Sequence, residues 1–375
     1  MKTFSLTVDS QQQFNSPEAP EFSCTATRLT EGVSDGVMLL TLENGPLTIR
    51  LVPTRGMAVW DMTYEGIRIG WDSPVRGPVH PSLVPVMDPG GLGWLEGFDE
   101  LLARCGLVSN GAPDFDSSGV LRYPLHGRIG NLPARNVEIS IDASQLSVTG
   151  IVDEVRFHFG KLRLTSTLTT TAGQKGFRVI DKVENRSGVA TEIQLLYHVN
   201  FGAPVLAPGS RVMLPADKVV PRDEWAAQDV GSWDYFGPPT PGMGEQVYFF
   251  QPRGGDDHRS TALLQNAHRD MGVALRFDTR QLPCFSLWKN TPAMQDGYVT
   301  GLEPGTNFPN PRSFEQQQGR TVKLGPGEST TFELSLDYLA GAAEVSAVEQ
   351  EVTSLLGEFP PGIHETPQLG WCVVE

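Results

Sequence analysis

Three short segments of the chain carry side chains able to move protons. In Tyr197-His198-Val199-Asn200 an imidazole and an amide stand two positions apart, so on a strand they share a face. Set inside an apolar run, they are either a satisfied core pair or the wall of a cleft. In Gly301-Leu302-Glu303-Pro304-Gly305 a carboxylate closes an expected strand, Tyr298 to Leu302, where a Pro/Gly loop begins. It is either held at a sheet edge or solvated by the loop. In Leu125-His126-Gly127-Arg128 two basic side chains are again two apart, around a glycine that lets a ligand or a backbone come close. The plain alternative is a hairpin turn with exposed basic groups. An imidazole titrates near neutrality and a carboxylate takes up protons, so general acid–base catalysis is within reach of such a set.

Strands have to position these groups. The 40 Gly and 29 Pro residues are spread as punctuation between short runs rich in Val, Leu, Thr and Phe, a pattern of many strands joined by turns. Leu47 to Val52, Val137 to Ile141, Leu162 to Thr169 and Thr331 to Leu336 alternate at period two, one face for a core and one for solvent or a cleft. Helical periodicity is scarce. Glu344 to Leu356 has the spacing of a short amphipathic helix, and Trp94 to Ala103 is a weaker case. No period of 20–50 residues repeats, which argues against propellers and solenoids. The Pro/Gly stretch Gly237 to Gly244 reads as a long loop, not a linker. The expectation is a single mostly β domain over residues 1–375: packed antiparallel sheets, an N-terminal arm over about 1–35 and a C-terminal helix over about 344–356.

Composition narrows the function. The chain has 29 Lys+Arg against 44 Asp+Glu, a formal charge of −15, which argues against nucleic acid and against an anionic membrane surface. No apolar run approaches the ~20 residues of a spanning helix. The opening MKTFSLTVDSQQQF has no apolar stretch behind its lysine, so no secretory signal is expected. Cys24, Cys105, Cys284 and Cys372 are far apart, without a CxxC, and read as buried free thiols of a cytoplasmic protein. They form no compact zinc motif, and no metal is expected.

Taken in order, LHGRIGNLPA, DKVENRSG leading into LLYHVNFG, and GLEPGTNFPN resemble the galactose mutarotase-like (aldose 1-epimerase) family, over roughly residues 40 to 340. The resemblance implies a β-supersandwich of antiparallel sheets with few short helices. It implies His198 as general acid, Glu303 as general base and His126 as a second histidine that orients the substrate. It also implies an acidic residue between acid and base that binds sugar hydroxyls, here Glu245 in preference to Asp234; a solvated loop Glu is the alternative. Two departures bear on which sugar is bound. A His-Pro-Tyr-Phe-Asn run is replaced by His198-Val199-Asn200-Phe201, and Glu303 is followed by Pro-Gly-Thr instead of Thr-Gln.

A cyclic aldose opens when its anomeric hydroxyl loses a proton and its ring oxygen gains one, with acid and base expected on opposite sides of the ring. Glu303 can accept that proton and His198 can donate one. No redox cofactor or metal is needed. Sugar recognition calls for polar groups and an aromatic platform. The candidates are Arg55, Arg128, Asn200, Glu245 and Lys289, with Trp288 as the platform. Arg55 as an ordinary surface group and Trp288 as a core residue are the competing readings. The segment Glu96 to Leu107 is expected at the cleft rim. The expected partner is a small-molecule sugar, with a homodimer left open. Two other functions stay open: a non-catalytic carbohydrate-binding protein, and a sugar or keto-sugar isomerase or lyase using a divalent metal. For the latter, His126, His198 and Glu303 would have to converge within ~2–2.2 Å of one ion.

Overall fold

Alternating burial decides which way each strand faces. In Gln145–Val155 and Lys161–Thr171 every second side chain is buried, so one face packs inward and the other meets solvent. The computed structural model describes residues 1–6, 11–358 and 360–373. In it these two strands lie side by side in a nine-stranded antiparallel sheet that continues through Gly176–Asn185, Ser329–Ala340, Met271–Asp278 and Arg259–Gln265. A second sheet, of fourteen strands, covers it. At its centre run Leu102–Leu107, Thr191–Phe201, Val299–Gly305, Cys284–Asn290 and Gln246–Pro252. Among the described residues the strands pair antiparallel apart from the short Gly362–Ile363, which lies parallel to Ala216–Pro221.

The two sheets share one apolar core. Val148, Leu164, Val179 and Leu334 from the first meet Ile49, Leu102, Leu195, Val199 and Leu302 from the second. An ionic link crosses this core. Arg104 on the second sheet donates to Asp181 and Ser166 on the first, and the Tyr197 hydroxyl also donates to Asp181. Removing either partner would strand a charge in an apolar layer. All four cysteines are free and buried. Among the described residues no helix is long and apolar enough to cross a membrane.

The sandwich of antiparallel sheets with few short helices is the fold expected from the sequence. The C-terminal helix spans Ala342–Leu356 and buries Val345, Val348 and Val352 against Leu263, Ala274 and Leu339. Two expectations change. The N-terminal arm is largely strand: Lys2–Ser5 joins the first sheet, while Gln11–Ser16 and Ala19–Arg28 join the second, because Phe14, Phe22 and Cys24 belong in the core. Residues 7–10 of that arm lie outside the described residues. The helix expected over Trp94 to Ala103 is a 3-10 turn, Gly93–Gly97, followed by extended chain and the strand Leu102–Leu107. Gly93 fits there because a Cβ would lie 1.9 Å from the Pro85 carbonyl oxygen.

Alternation disappears in Thr191–Phe201, which is buried continuously from Ile193 onward. Both faces of this strand are covered. Leu195, Tyr197, Val199 and Phe201 point into the inter-sheet core, while Leu196 belongs to a separate aromatic cluster with Trp71, Trp94 and Phe98. His198 and Asn200 share that second face.

Candidate active site

Thr191–Phe201 pairs with Leu102–Leu107 on one side and with Val299–Gly305 on the other. The register that sets Leu196 against Gly305 and Val199 against Leu302 puts His198 opposite Glu303. Glu303 does not close its strand as expected. The strand runs on to Gly305 because Cys284–Asn290 pairs with it throughout, Ser286 against Glu303 and Cys284 against Gly305. Both side chains turn away from the inter-sheet core, and His198 Nε2 lies 3.1 Å from Glu303 Oε1. Gly301, two residues before Glu303, makes the room. A Cβ there would sit 2.7 Å from Glu303 Oε1 and 3.1 Å from His198 Cε1.

Protons can be assigned from the neighbours. His198 Nδ1 is 2.6 Å from Asn200 Oδ1, and the Asn200 amide nitrogen donates to the Glu100 carbonyl oxygen at 3.0 Å. An amide oxygen only accepts, so Nδ1 carries a proton and the Nε2 of a neutral ring presents its lone pair to Glu303. The contact has ion-pair distance without hydrogen-bond alignment, and Glu303 Oε1 has no hydrogen-bond partner. Burial pushes the Glu303 carboxyl well above the usual carboxylate range, helped by the Glu245 charge and opposed by Arg222. Burial also pushes His198 well below its usual value, helped by His126 and opposed by the Asn200 contact. Burial therefore favours the arrangement with the carboxyl protonated and the imidazole neutral.

His126 approaches from a turn. Its ring meets His198 edge-on with centroids 5.2 Å apart, and its Nδ1 is 3.0 Å from the Asn110 carbonyl oxygen. Nδ1 is thus the donor and Nε2 is left to accept. Burial lowers its pKa to about 4. What comes close at Gly127 is backbone: its φ is +71°, and a Cβ would meet the Ser109 carbonyl oxygen at 1.9 Å.

Aromatic rings close around the two histidines. Trp94 is 4.5 Å from His126, and Phe98 and Trp288 are 5.1 and 5.3 Å from His198, between centroids. The Trp288 indole N–H donates to Glu245 Oε2 at 2.7 Å, and Arg222 donates to Glu245 Oε1 at 2.9 Å. Glu245 is exposed, and Trp288 and His126 are half-buried, so these three mark the approach. The aromatic packing makes the site tighter than the open cleft expected. The side chains of His198 and Glu303 are only 5% and 3% exposed.

Of the residues expected around the sugar, Trp288 and Glu245 lie at this approach. Asn200 is fully buried and orients His198 instead of facing a ligand. Arg55 is neither at the surface nor in the cleft. It is sealed, donating to Glu100, Asn131 and the Gly97 carbonyl, and so braces the segment whose Glu100 carbonyl holds Asn200. Lys289 follows Trp288 on the same strand and faces the other way; its Nζ donates to the Ser232 and Tyr235 carbonyls, and burial lowers its pKa to about 8. Arg128 lines a different cavity, beside Glu154 and Arg312. Sequence reasoning missed Trp94, Gly301 and Arg222. Trp94 lies just before the rim segment Glu96 to Leu107, and nothing in Pro221-Arg222-Asp223 marks that arginine. No three His, Cys, Asp or Glu side chains group as a metal site among the described residues, so the three-ligand convergence weighed for His126, His198 and Glu303 is not formed there.

A family model described as a domain of unknown function, DUF4432, matches residues 34–338. A structure from Klebsiella pneumoniae, provisionally named an aldose 1-epimerase, is 36% identical, with 98% of each chain covered and a TM-score of 0.93. A galactose mutarotase-like protein from Clostridium acetobutylicum is 15% identical over 85% of this chain and 99% of its own, TM-score 0.60. A galactose 1-epimerase from Lactobacillus acidophilus is 13% identical over the same shares, TM-score 0.57. The last two are likenesses of fold. No curated protein matches the chain.

Proposed function

The chain belongs to the DUF4432 family and is a galactose mutarotase-like protein, and from that premise we propose that it interconverts sugar anomers by acid–base ring opening. The observation that carries this reading is the cross-strand contact of His198 with Glu303. Acid and base need not stand on opposite sides of the ring. The anomeric hydroxyl oxygen and the ring oxygen are bonded to the same carbon, so two groups a contact apart can reach both. Glu303 takes the proton from the anomeric hydroxyl while His198 Nε2–H gives one to the ring oxygen. The anomeric C–O bond becomes a carbonyl and the bond from the anomeric carbon to the ring oxygen breaks. Rotation and closure by the reverse transfers yield the other anomer.

The protonation states follow this cycle. Opening starts from a Glu303 carboxylate beside a His198 imidazolium and ends with a Glu303 carboxyl beside a neutral imidazole. Burial favours the second state. The site thus favours the form that accompanies the open-chain sugar, and the same form is ready to reprotonate the carbonyl oxygen on closure. His126, with Nδ1 tied to Asn110, offers Nε2 as an acceptor for a sugar hydroxyl. Trp288, fixed by Glu245, offers its ring to the sugar's C–H face. Magnetisation-exchange NMR or polarimetry over a panel of free sugars and sugar phosphates tests the reading. Exchange above the buffer rate for at least one sugar is expected, and exchange at the buffer rate for all of them would refute it.

The near burial of the pair favours a second reading, a carbohydrate-binding protein that holds a sugar at Trp288 and Glu245 without turnover. Saturable binding with no exchange in the same experiment would select it.

A further inference from the structure

A cavity of about 450 Å³ adjoins the turn that carries His126. Pro124, Gly127 and Arg128 of that turn line it, while His198, Glu303, Glu245 and Trp288 do not. Its volume is that of a small-ligand pocket, ~300–1,000 Å³. In a chain with a formal charge of −15, four arginines reach this one cavity, Arg122, Arg128, Arg156 and Arg312, against Glu154 and Glu192.

The partners of these groups can be counted. Arg312 is spent on the carbonyl oxygens of Val108 and Glu192. Arg122 pairs with Asp116, and the Arg156 guanidinium lies over the Phe159 ring. Glu154 accepts from the backbone N–H groups of Leu107 and Val108. Three groups are left over among the described residues. The Arg128 guanidinium makes no hydrogen bond or ion pair there, its charge acting only at longer range on Glu154. Ser109 Oγ is unpartnered in a residue only 1% exposed. Glu192 Oε2 is buried without a hydrogen bond, 3.8 Å from Arg312. A buried hydroxyl without a partner is costly, and Ser109 Oγ, a Glu192 oxygen held only by a 3.8 Å ion pair, and the half-buried Arg128 together specify a complementary molecule: an anion for Arg128, and hydroxyls for Glu192 and Ser109. We propose that this cavity is a second ligand site, separate from the acid–base pair, for an anionic group carried on a polyol, as in a sugar phosphate or a sugar acid. It stands apart from the catalytic reading, because it uses none of the same side chains.

Isothermal titration calorimetry of the full chain at low salt tests it, with glucose 6-phosphate and gluconate as anionic probes and glucose as the uncharged control. At least one anion should bind tenfold or more tightly than glucose, and which one binds separates phosphate from carboxylate recognition. Arg128→Gln should weaken that binding at least tenfold, and Ser109→Ala should weaken it several-fold. Trp288→Ala, which removes the sugar platform of the acid–base site, should leave it within twofold. Arg128→Gln also takes away a positive charge that favours the buried Glu154 carboxylate, so Ser109→Ala, which removes no charge, reads the same site should the arginine variant melt early. Anion binding unchanged in both cavity variants, or abolished by Trp288→Ala, would overturn the proposal. So would the absence of millimolar binding by either anion.

Discussion

His198 and Glu303 face each other across an antiparallel ladder, so the backbone register of two central strands fixes their contact, not a loop. A one-residue slip of either strand would turn its member of the pair into the apolar inter-sheet core. The ionic link from Arg104 and Tyr197 to Asp181 sits on the opposite face of the His198 strand and its neighbour Leu102–Leu107, and resists a slip of the His198 strand.

Glu303→Gln keeps shape and hydrogen bonding but cannot accept a proton, and His198→Asn cannot donate one as an imidazolium. Each should lower anomer exchange roughly 10²–10⁴-fold. Sugar affinity should change far less, and the double variant should be little worse than the worse single one, since the two groups act in one transfer. NMR exchange rates on variants with wild-type circular dichroism are the measurement. Near-wild-type turnover in both would remove the pair from the chemistry.

Gly301→Ala tests the space beside the pair without touching a titratable group. The added methyl carbon would crowd Glu303 Oε1 and the His198 ring, so one of them must shift. A displacement of about 1 Å at reacting groups can cost 10²-fold in turnover, and a loss of that order is expected with little change in melting temperature. A fully active Gly301→Ala enzyme would show that the contact geometry is not what sets the rate.

Strand periodicity was the most legible part of this fold. Leu47 to Val52 is a strand from end to end, and the alternation of Leu162 to Thr169 lies within Lys161–Thr171. The half-buried strands of the first sheet announce themselves, whereas a strand covered on both faces does not. Hence His198 and Asn200 in Thr191–Phe201 read as a core pair with a cleft wall as the alternative, and both descriptions apply, since Asn200 is core and His198 is barely exposed. Single residues misled where their role depends on distant chain. Arg55 is held by Glu100 and Asn131, and no local pattern distinguishes such a residue from a surface arginine. Lys289 was misread because its face depends on a register that its own sequence does not reveal.

The pair should titrate as a unit in two steps. Adding a proton to the neutral pair charges His198, whose pKa is lowered, so the acid limb of kcat/KM should lie well below pH 6.5. Removing the shared proton ionises Glu303, whose pKa is raised, so the alkaline limb should lie well above pH 4.5, with a plateau between. His126, with its pKa lowered to about 4, is neutral above that pH. The alkaline limb should vanish from the residual activity of Glu303→Gln. A rate that rises through a single inflection near 6.5 and keeps no alkaline limb would point to an ordinary exposed histidine instead.

Glu303 should also cost the protein stability, in a pH-dependent way. Its folded pKa is raised, so above its ordinary value of 4.5 and up to the folded value the native state keeps a proton that the unfolded chain has lost. Stability from this group is then fully present below 4.5 and declines as pH rises through that window. Gln has no proton to lose, and its amide can donate to the lone pair of His198 Nε2. Glu303→Gln should therefore melt above wild type at pH 8, by an amount equivalent to roughly 1–3 kcal/mol, the usual cost of a buried unpartnered polar group. The advantage should shrink toward pH 4.5. His198, with its lowered pKa, acts in the other direction below 6.5, but it is present in both proteins. Thermal melts of the two across pH 4.5 to 8 decide the matter. A variant that melts below wild type at pH 8, or a difference independent of pH, would mean that the Glu303 carboxyl is not held protonated by its burial.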